Sequence, residues 1–405
     1  MNGSYQIFRR NRQTGIRETL LERYTEFGIT LNWGEISKFS VKGSTVGAVD
    51  LEPGDGIVFY RNGESFFCGI VDQVEVSCGN VADGLKSWTA EGYEDSVIFS
   101  RCVALADPSE ITFADGIVDK TSDYAWNRLL HYIRANMGAD ALEGRAIDGL
   151  TLPAAREIGL NTESAVRFEP LDKVLQTIGS ETDEDGVENA LFPAFVWSPD
   201  TGEKSIEIRR QRDLTGSVTI APEFGNIINW TRTRTLPKCN AVWVCSGSYD
   251  DNGTETRLWV YREDEESIAK YGRFEQVVTK SDIKVTEDDP ETEEDETVTV
   301  EDAYVLLENE ARKTLEEGAF GEKFSGTMVE TPELRFMDDW RCGDLVSCVI
   351  DGEKFSTAIK TVEIGFADGY EQVTPTLGEC EHGVYAEIFK RLRGLDTRMN
   401  KEELS

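Results

Sequence analysis

Polar and apolar residues alternate along much of this chain. The alternation is clear at residues 36–41 and 73–78, and similar β-type runs occur at 226–232, 240–245 and 257–261. A period of two residues places one face of a strand in a core and the other face in solvent. The pattern therefore predicts a mainly β protein whose sheets are buried on one face, as in a barrel or a sandwich.

One β-type stretch occurs twice, at residues 54–76 and 343–364. Each copy begins with Gly-Asp, runs through apolar residues to a two-residue turn, and returns through Glu, an aromatic residue and a Val-Glu-aliphatic segment. The turn residues are Asn62-Gly63 and Asp351-Gly352. Such pairs between β-type runs are typical of type I′ hairpins, which need positive φ at both central residues. The repetition predicts a duplicated β-module.

Three segments have helical periodicity. Residues 123–138 carry an apolar stripe, with Ser122 or Asp123 as the expected N-cap and Gly138 as the expected stop. A second helix is expected from Pro170 to Gly179. A third is expected over residues 301–317, with one apolar face. The stripe of the first helix is Trp126, Leu129, Leu130, Ile133 and Met137, and the face of the third is Tyr304, Leu307, Ala311 and Leu315.

The C-terminal segment carries a heptad pattern. Its apolar residues recur at spacings of three and four, which is typical of a helix that packs along one seam. The residues of this seam, which are the candidates for contact between subunits, are Tyr385, Ile388, Leu392, Leu395 and Met399. The pattern is consistent both with a contact between subunits and with a helix packed on its own domain. An acidic block at residues 287–296 is expected to be a solvated loop.

The net charge of −34 narrows the classes of partner. Tight nucleic-acid binding needs Lys and Arg to displace counterions, so such an acidic chain is not expected to hold DNA or to bind anionic membranes. No apolar run is long enough to span a membrane, and the first ten residues lack the apolar core of a signal peptide. The eight scattered cysteines are expected to be reduced.

Catalytic motifs are scarce, so we expect no enzyme, no cofactor and no metal site. The chain has two histidines, His131 and His382, and no nucleophile elbow, P-loop or dinucleotide fingerprint. Paired carboxylates are uninformative among 76 acidic residues. Trp230, Trp243 and Trp259 could stack sugars, but in alternating strands such residues more often form core contacts or cross-strand pairs.

Several stretches together resemble the tail-hub, or baseplate-hub, proteins of long-tailed bacteriophages and prophages. They are residues 31–55 with the strand at 69–71, residues 91–96, 226–234 with 240–244, and 341–346 through 374–379. The resemblance rests on their order and spacing over nearly the whole chain. It implies an α+β, mainly β fold with two tail-tube-like β-barrel modules, a mixed α/β insertion and a short C-terminal helix.

The resemblance also implies a structural role in the virion tail. A homotrimer would cap the tail tube, joining the distal tail protein ring to the tape-measure protein and to tip or fibre proteins. Two similar modules in each of three chains give six similar units, which fit a six-fold tube. Acidic side chains along such a channel would let DNA pass without binding it. The protein would assemble in the host cytoplasm.

Many hubs continue into a hydrolase or receptor-binding region, whereas this sequence ends at Ser405, so lytic activity is expected to reside in a separate protein. A tail-associated peptidoglycan hydrolase and a carbohydrate-binding tail component are the alternative functions.

These expectations divide the chain into five parts. They are a first barrel module (1–104 with 206–236), the insertion (105–205), a second barrel module (237–286 with 323–380), the acidic loop and connecting helix (287–322), and the C-terminal helix (381–405).

Overall fold

The computed structural model describes residues 4–378, apart from 47–48, 80, 82–83, 111–116, 182–188, 252–253, 282, 286–296, 299 and 368. Strands hold 49% of the described residues and helices 17%. These proportions confirm a mainly β fold with helices. The described residues form two compact units, the first containing those before residue 231 and after residue 324, and the second containing residues 231–324.

The elements follow one another along the chain in this order. The N-terminal strands are β1 (Tyr5–Arg10), β2 (Arg17–Leu20), β3 (Tyr24–Asn32), β4 (Lys38–Thr45), β5 (Gly56–Arg61), β6 (Glu64–Cys78) and β7 (Lys86–Glu94). A 3₁₀ turn (Asp95–Arg101), β8 (Val103–Ala104), β9 (Asp119–Tyr124), α1 (Ala125–Met137), β10 (Leu150–Thr151), β11 (Asn161–Val166), β12 (Glu169–Pro170), α2 (Leu171–Gly179), β13 (Leu191–Trp197) and β14 (Lys204–Arg210) come next.

The remaining elements lead into the second unit and back. They are β15 (Thr219–Ile220), a 3₁₀ turn (Pro222–Phe224), β16 (Ile227–Thr235), β17 (Ala241–Ser246), β18 (Tyr249–Asp251), β19 (Thr254–Thr256), β20 (Trp259–Glu263), α3 (Glu265–Tyr271), β21 (Glu275–Lys280), β22 (Lys284–Val285), β23 (Thr297–Val298), α4 (Val300–Gly318), β24 (Gly321–Met328), β25 (Leu345–Ile350), β26 (Glu353–Ala367) and β27 (Tyr370–Gly378).

One large sheet organises the first unit. Its strands lie in the order β16-β24-β27-β26-β3-β4-β7-β6-β5-β1-β2, with β25 paired to β26 and β15 paired to β25. The core includes packed rings, with Phe59 5.5 Å from Phe27 and 5.7 Å from both Phe39 and Phe67. The strand path has two ends, so the described strands of one chain close no barrel, in contrast to the two barrels expected from the sequence.

Helices α1 and α2 pack with the β13–β14 hairpin around their own core in the first unit. The expected stripe is confirmed, since Leu129 and Ile133 are completely buried. The expected N-cap is wrong, because β9 continues to Tyr124 and the helix begins without a side-chain cap. Asp123 pairs with Thr162 in the neighbouring strand, and its carboxylate accepts from the backbone N–H of Tyr124.

The second unit has a three-stranded sheet, β20-β17-β21, and helix α4. The helix buries Leu307 and Ala311 in a core shared with Val242 and Val260. Tyr304 is exposed, so the expected apolar face of this helix is wrong at that residue. The expected helix is otherwise present within one residue of both predicted ends.

Candidate functional site: the two hairpin modules and their joint

Both sequence-predicted hairpin turns have the expected backbone geometry. In the β5–β6 turn, φ is +54° at Asn62 and +88° at Gly63. In the β25–β26 turn, φ is +52° at Asp351 and +81° at Gly352. Because type I′ turns need positive φ at both central residues, the prediction from Asn-Gly and Asp-Gly is confirmed at both places.

The Gly-Asp corner before each hairpin is also built in the same way. Gly54 donates its N–H to the carbonyl of Val71 at 2.8 Å, and Val71 donates its N–H to the backbone carbonyl of Asp55 at 2.8 Å. In the second corner, Gly343 donates its N–H to the carbonyl of Ile359 at 2.8 Å, and Ile359 donates its N–H to the backbone carbonyl of Asp344 at 2.9 Å. The repeated sequence therefore forms the same local hydrogen-bonding pattern twice.

A carboxylate closes each corner. One oxygen of Asp55 accepts from the backbone N–H of Glu52 at 3.0 Å, and one oxygen of Asp344 accepts from Arg341 at 2.6 Å. The second corner has an additional partner, since Arg212 donates two hydrogen bonds to Asp344, at 2.8 and 2.6 Å. An aspartate suits this position because its short side chain reaches the backbone N–H three residues earlier.

The equivalence extends from the hairpins to the surrounding strands. One set of strands lies in the order β5-β6-β7-β4-β3, and the other in the order β25-β26-β27-β24-β16. The long strand of each set has a register shift just beyond the corner, between Val71 and Gln73 in β6 and between Ile359 and Thr361 in β26. We call the first set module 1 and the second set module 2.

A difference in the connections separates the two modules. In module 1, β3 and β4 are joined by the short loop of residues 33–37. In module 2, the corresponding strands β16 and β24 are joined by residues 236–320. Most of the second unit is thus inserted at a position where module 1 has a hairpin loop.

The two modules are joined within the chain by β3 and β26. These strands pair antiparallel from Thr361 opposite Asn32 to Ala367 opposite Glu26. Phe27 and Phe366 lie opposite each other, with ring centroids 5.4 Å apart and planes inclined by 10°. Cross-strand aromatic pairs stabilise a sheet beyond its backbone ladder, so this joint is a specific contact.

A buried ionic cluster reinforces the joint. Arg61, at the end of β5, donates to the Glu371 carboxylate of β27 at 2.8 Å and to the carbonyl of Phe336 at 2.9 Å. The Tyr5 hydroxyl donates a very short hydrogen bond to the same carboxylate. Burial and this carboxylate raise the pKa of Tyr5, so it remains a neutral donor. Module 1 and module 2 are therefore linked by charge-assisted hydrogen bonds as well as by strands.

A cavity of 620 Å³ is lined in part by the start of β6 and by the second Gly-Asp corner. Its lining combines carboxylates, guanidinium groups and aromatic rings, including Glu94, Arg209, Trp33, Phe192 and Cys342. One oxygen of Glu94 is buried without a hydrogen-bond partner. Burial raises the pKa of this carboxyl above its ordinary value, against the opposing effects of Arg209 and Ser37.

This carboxyl predicts a pH-dependent variant. A raised pKa in the folded state means that the charged form of Glu94 opposes folding above the carboxyl's unfolded pKa. Glu94→Gln should therefore increase the free energy of unfolding by on the order of 1 kcal/mol at pH 7. The gain should shrink toward pH 4, where the glutamic acid is itself protonated. Urea unfolding of both proteins from pH 4 to 8 measures this, and a pH-independent difference would contradict it.

The sequence-predicted site residues have different outcomes. The heptad residues 385–399, His382 and the acidic block lie outside the described residues. His131 is structural, with Nε2 2.8 Å from Asp119. Trp243 forms a cross-strand pair with Tyr261, at 4.4 Å, yet Trp243 and Trp259 are 42% and 49% exposed.

Other expected features can be compared over the described part of the chain. The seven cysteines within it are free. No helix there has both the length and the apolarity to cross a membrane. No group of three or more potential metal ligands occurs within these ranges.

The sequence reasoning missed the ionic cluster of Arg61, Glu371 and Tyr5. Glu371 is 310 positions from Arg61, and neither residue belongs to a motif. The one available signal was the repeat itself, which indicates two equivalent modules. That signal does not identify the strands or the side chains.

The comparisons with known proteins agree with this architecture. The sequence model of the Siphovirus ReqiPepy6 Gp37-like protein family matches residues 13–379. Among curated proteins, no sequence matches the chain.

Three crystal structures of prophage or other tail proteins share the fold. The 43 kDa tail protein of prophage MuSo2 from Shewanella oneidensis has 12% identity and a TM-score of 0.53, covering 92% of this chain and 98% of its own. The tail protein from Neisseria meningitidis MC58 has 13% identity and a TM-score of 0.53, covering 93% and 97%. The prophage tail protein gp18 from Listeria monocytogenes EGD-e has 11% identity and a TM-score of 0.50, covering 96% and 99%.

At these identities the likeness shows the fold, and the family match covers most of the chain. Together they confirm the resemblance to tail proteins of long-tailed phages. The chain belongs to the Siphovirus ReqiPepy6 Gp37-like protein family.

Proposed function

We propose that this chain is the structural hub subunit of a phage tail, and that three copies close the distal end of the tail tube. The observation that carries the proposal is the matching strand order and corner geometry of module 1 and module 2. Three chains with two equivalent modules present six equivalent units. A three-fold assembly can then seat on a six-fold tube without a symmetry mismatch.

The proposal extends to the channel and its neighbours. The two modules act as tube-like barrel segments, and closure of the barrel requires neighbouring copies. The five-part division of the chain predicted from the sequence belongs to the same proposal. The C-terminal seam residues 385–399 contribute a trimer contact. A net charge of −34 suits a channel that lets DNA through without retaining it.

The partners follow from that position. The hub contacts the distal tail protein ring on the tube side, and the tape-measure protein and the tip or fibre proteins elsewhere. It is assembled in the host cytoplasm and resides in the virion tail. Its role is assembly by strand pairing and side-chain packing, with no catalytic residue, no cofactor and no membrane anchor.

Sedimentation equilibrium of the purified full-length chain tests the oligomeric state. We expect a species of three chains that incorporates into tail particles. A monomer at all concentrations that never joins tail particles would contradict the proposal. Zymography on peptidoglycan tests the hydrolase alternative, which requires clearing of the wall that is lost on a single Asp or Glu substitution.

A second candidate is carbohydrate binding by the second unit. The observation in its favour is the exposure of Trp243 and Trp259 on one three-stranded sheet. Glycan-array binding that is lost in Trp243→Ala or Trp259→Ala, with unchanged circular dichroism, would support it. No binding by the wild-type chain would remove it.

A further inference from the structure

Strand β16 of module 2 corresponds to β3 of module 1, but within the described residues β16 is paired along one edge only. In module 1, β3 has β4 on one side and β26 of module 2 on the other. In module 2, the corresponding strand β16 has β24 on one side and ends the sheet on the other. Within the described residues, the backbone edge of β16 therefore lacks the neighbour that its counterpart has.

The long strand of module 1 has the matching open edge. Residues 361–367 of β26 lie between β27 and β3. The corresponding part of β6, from Gln73 to Cys78, pairs with β7, whereas β5 covers only Glu64–Ile70. In the described part of the chain, no strand occupies the second side of β6 beyond its register shift.

We propose that β16 of one copy pairs antiparallel with β6 of the next copy, repeating between subunits the β3–β26 joint found inside each chain. This inference rests on the proposed trimer and identifies the strands that assemble it. Three internal joints and three intersubunit joints would then alternate around one ring. Each open edge finds its partner on another copy, so the ring has no unpaired edges at these positions.

Equivalent rows of residues fix the register. Val71 of β6 lies across β7 from Phe39 of β4, through Gly92. Ile359 of β26 lies across β27 from Gly326 of β24, through Leu377. In module 1, Phe39 pairs with Ile29 of β3. Placing Val71 on Ile359 and Phe39 on Gly326 aligns the two modules residue by residue.

The alignment gives a defined contact. Val329, directly after β24, donates its N–H to the carbonyl of Asn226, directly before β16, at 2.9 Å, and this contact sets the register of β16 against β24. By this alignment, Ser77 of β6 corresponds to Gly365 of β26, and Ile228 of β16 corresponds to Gly28 of β3. Gly28 and Gly365 lie opposite each other in the internal joint. We therefore expect Ser77 opposite Ile228 across the subunit boundary.

The side chains on these edges are suited to burial. Ile228 is 69% exposed and Val76 is 47% exposed in the single chain. Exposed apolar residues on open strand edges would promote aggregation unless an assembly covers them. A second copy with the matching edge covers both, and the new backbone ladder resembles other cases of strand addition.

Cysteine cross-linking tests the joint. Directly opposed residues of an antiparallel pair have Cα atoms about 4.5–5.5 Å apart, within disulfide reach. In a Cys78→Ser background, full-length S77C/I228C should form cross-linked species of two and three chains, and none larger. The matched control is L20C/I228C, which places the second cysteine on β2, the other end of the sheet. We expect at least tenfold less cross-linking in this control.

The outcomes separate this joint from the proposed function. A three-chain species without S77C/I228C cross-linking, or with preferential L20C/I228C cross-linking, would overturn the joint and leave the trimeric hub standing. A single-chain species would overturn both. An independent variant, Ile228→Lys, should weaken trimer formation at least tenfold without changing the thermal unfolding of the diluted single chain. Unchanged trimer affinity in that variant would also overturn the joint.

Discussion

Replacing Asp95 with alanine is expected to lower the free energy of unfolding by about 3–5 kcal/mol. Asp95 and Arg10 form a buried ion pair, with side chains 3% and 0% exposed. Arg10 Nη1 donates to one carboxylate oxygen at 2.6 Å, and Nη2 makes a very short bond to the other. Without the carboxylate, a charged guanidinium would remain buried, and its acceptors among the described residues would be the carbonyls of Trp197 and Gly69.

The matched control is Asp200→Ala. Asp200 also pairs with an arginine, Arg17, at 3.1 Å, but both side chains are exposed. Exposed pairs contribute about 0–1 kcal/mol, so this variant should unfold almost like the parent. Urea unfolding of both variants at pH 7 measures the difference. Equal losses of stability would contradict the assignment of the Arg10–Asp95 pair as a buried structural tie.

Replacing Gly343 with alanine should destabilise the protein more than the same change at Gly54. Both glycines have positive φ, +95° and +91°, so each alanine strains the backbone by about 1–3 kcal/mol. A Cβ at Gly343 would also come within 2.0 Å of the Trp33 ring, whereas one at Gly54 would meet nothing within 4 Å. Overpacking adds about 1–3 kcal/mol.

The two modules thus provide their own internal control for this experiment. The difference between Gly343→Ala and Gly54→Ala, measured by thermal and urea unfolding, isolates the contact with Trp33 from the shared backbone strain. Equal losses would mean that Trp33 moves aside freely, and would remove the indole as a fixed neighbour of the second corner.

The sequence predicted the local structure well wherever short-range chemistry determines it. Asn62-Gly63 and Asp351-Gly352 identified two hairpins, because few other residues adopt positive φ at both turn positions. The helix at residues 170–179 was predicted within one residue of both ends. The error at Asp123 arose because a good capping residue was instead used in strand pairing, which depends on a partner strand 39 positions away.

The long-range arrangement was beyond sequence reasoning. The repeat predicted two equivalent modules, but it did not predict that β3 and β26 join them. Arg61 and Glu371 have no local signature, and their contact exists only once the β3–β26 register is set. The expectation of two barrel modules is not confirmed, because the described strands of one chain form a sheet path with two open ends.

Electron cryomicroscopy of purified tail particles can resolve how the two modules are arranged around the tail axis. We expect three copies of this chain, with module 1 and module 2 alternating to form a six-unit ring around one channel. Six copies in the ring, a single copy, or modules that do not alternate around a common axis would contradict this arrangement.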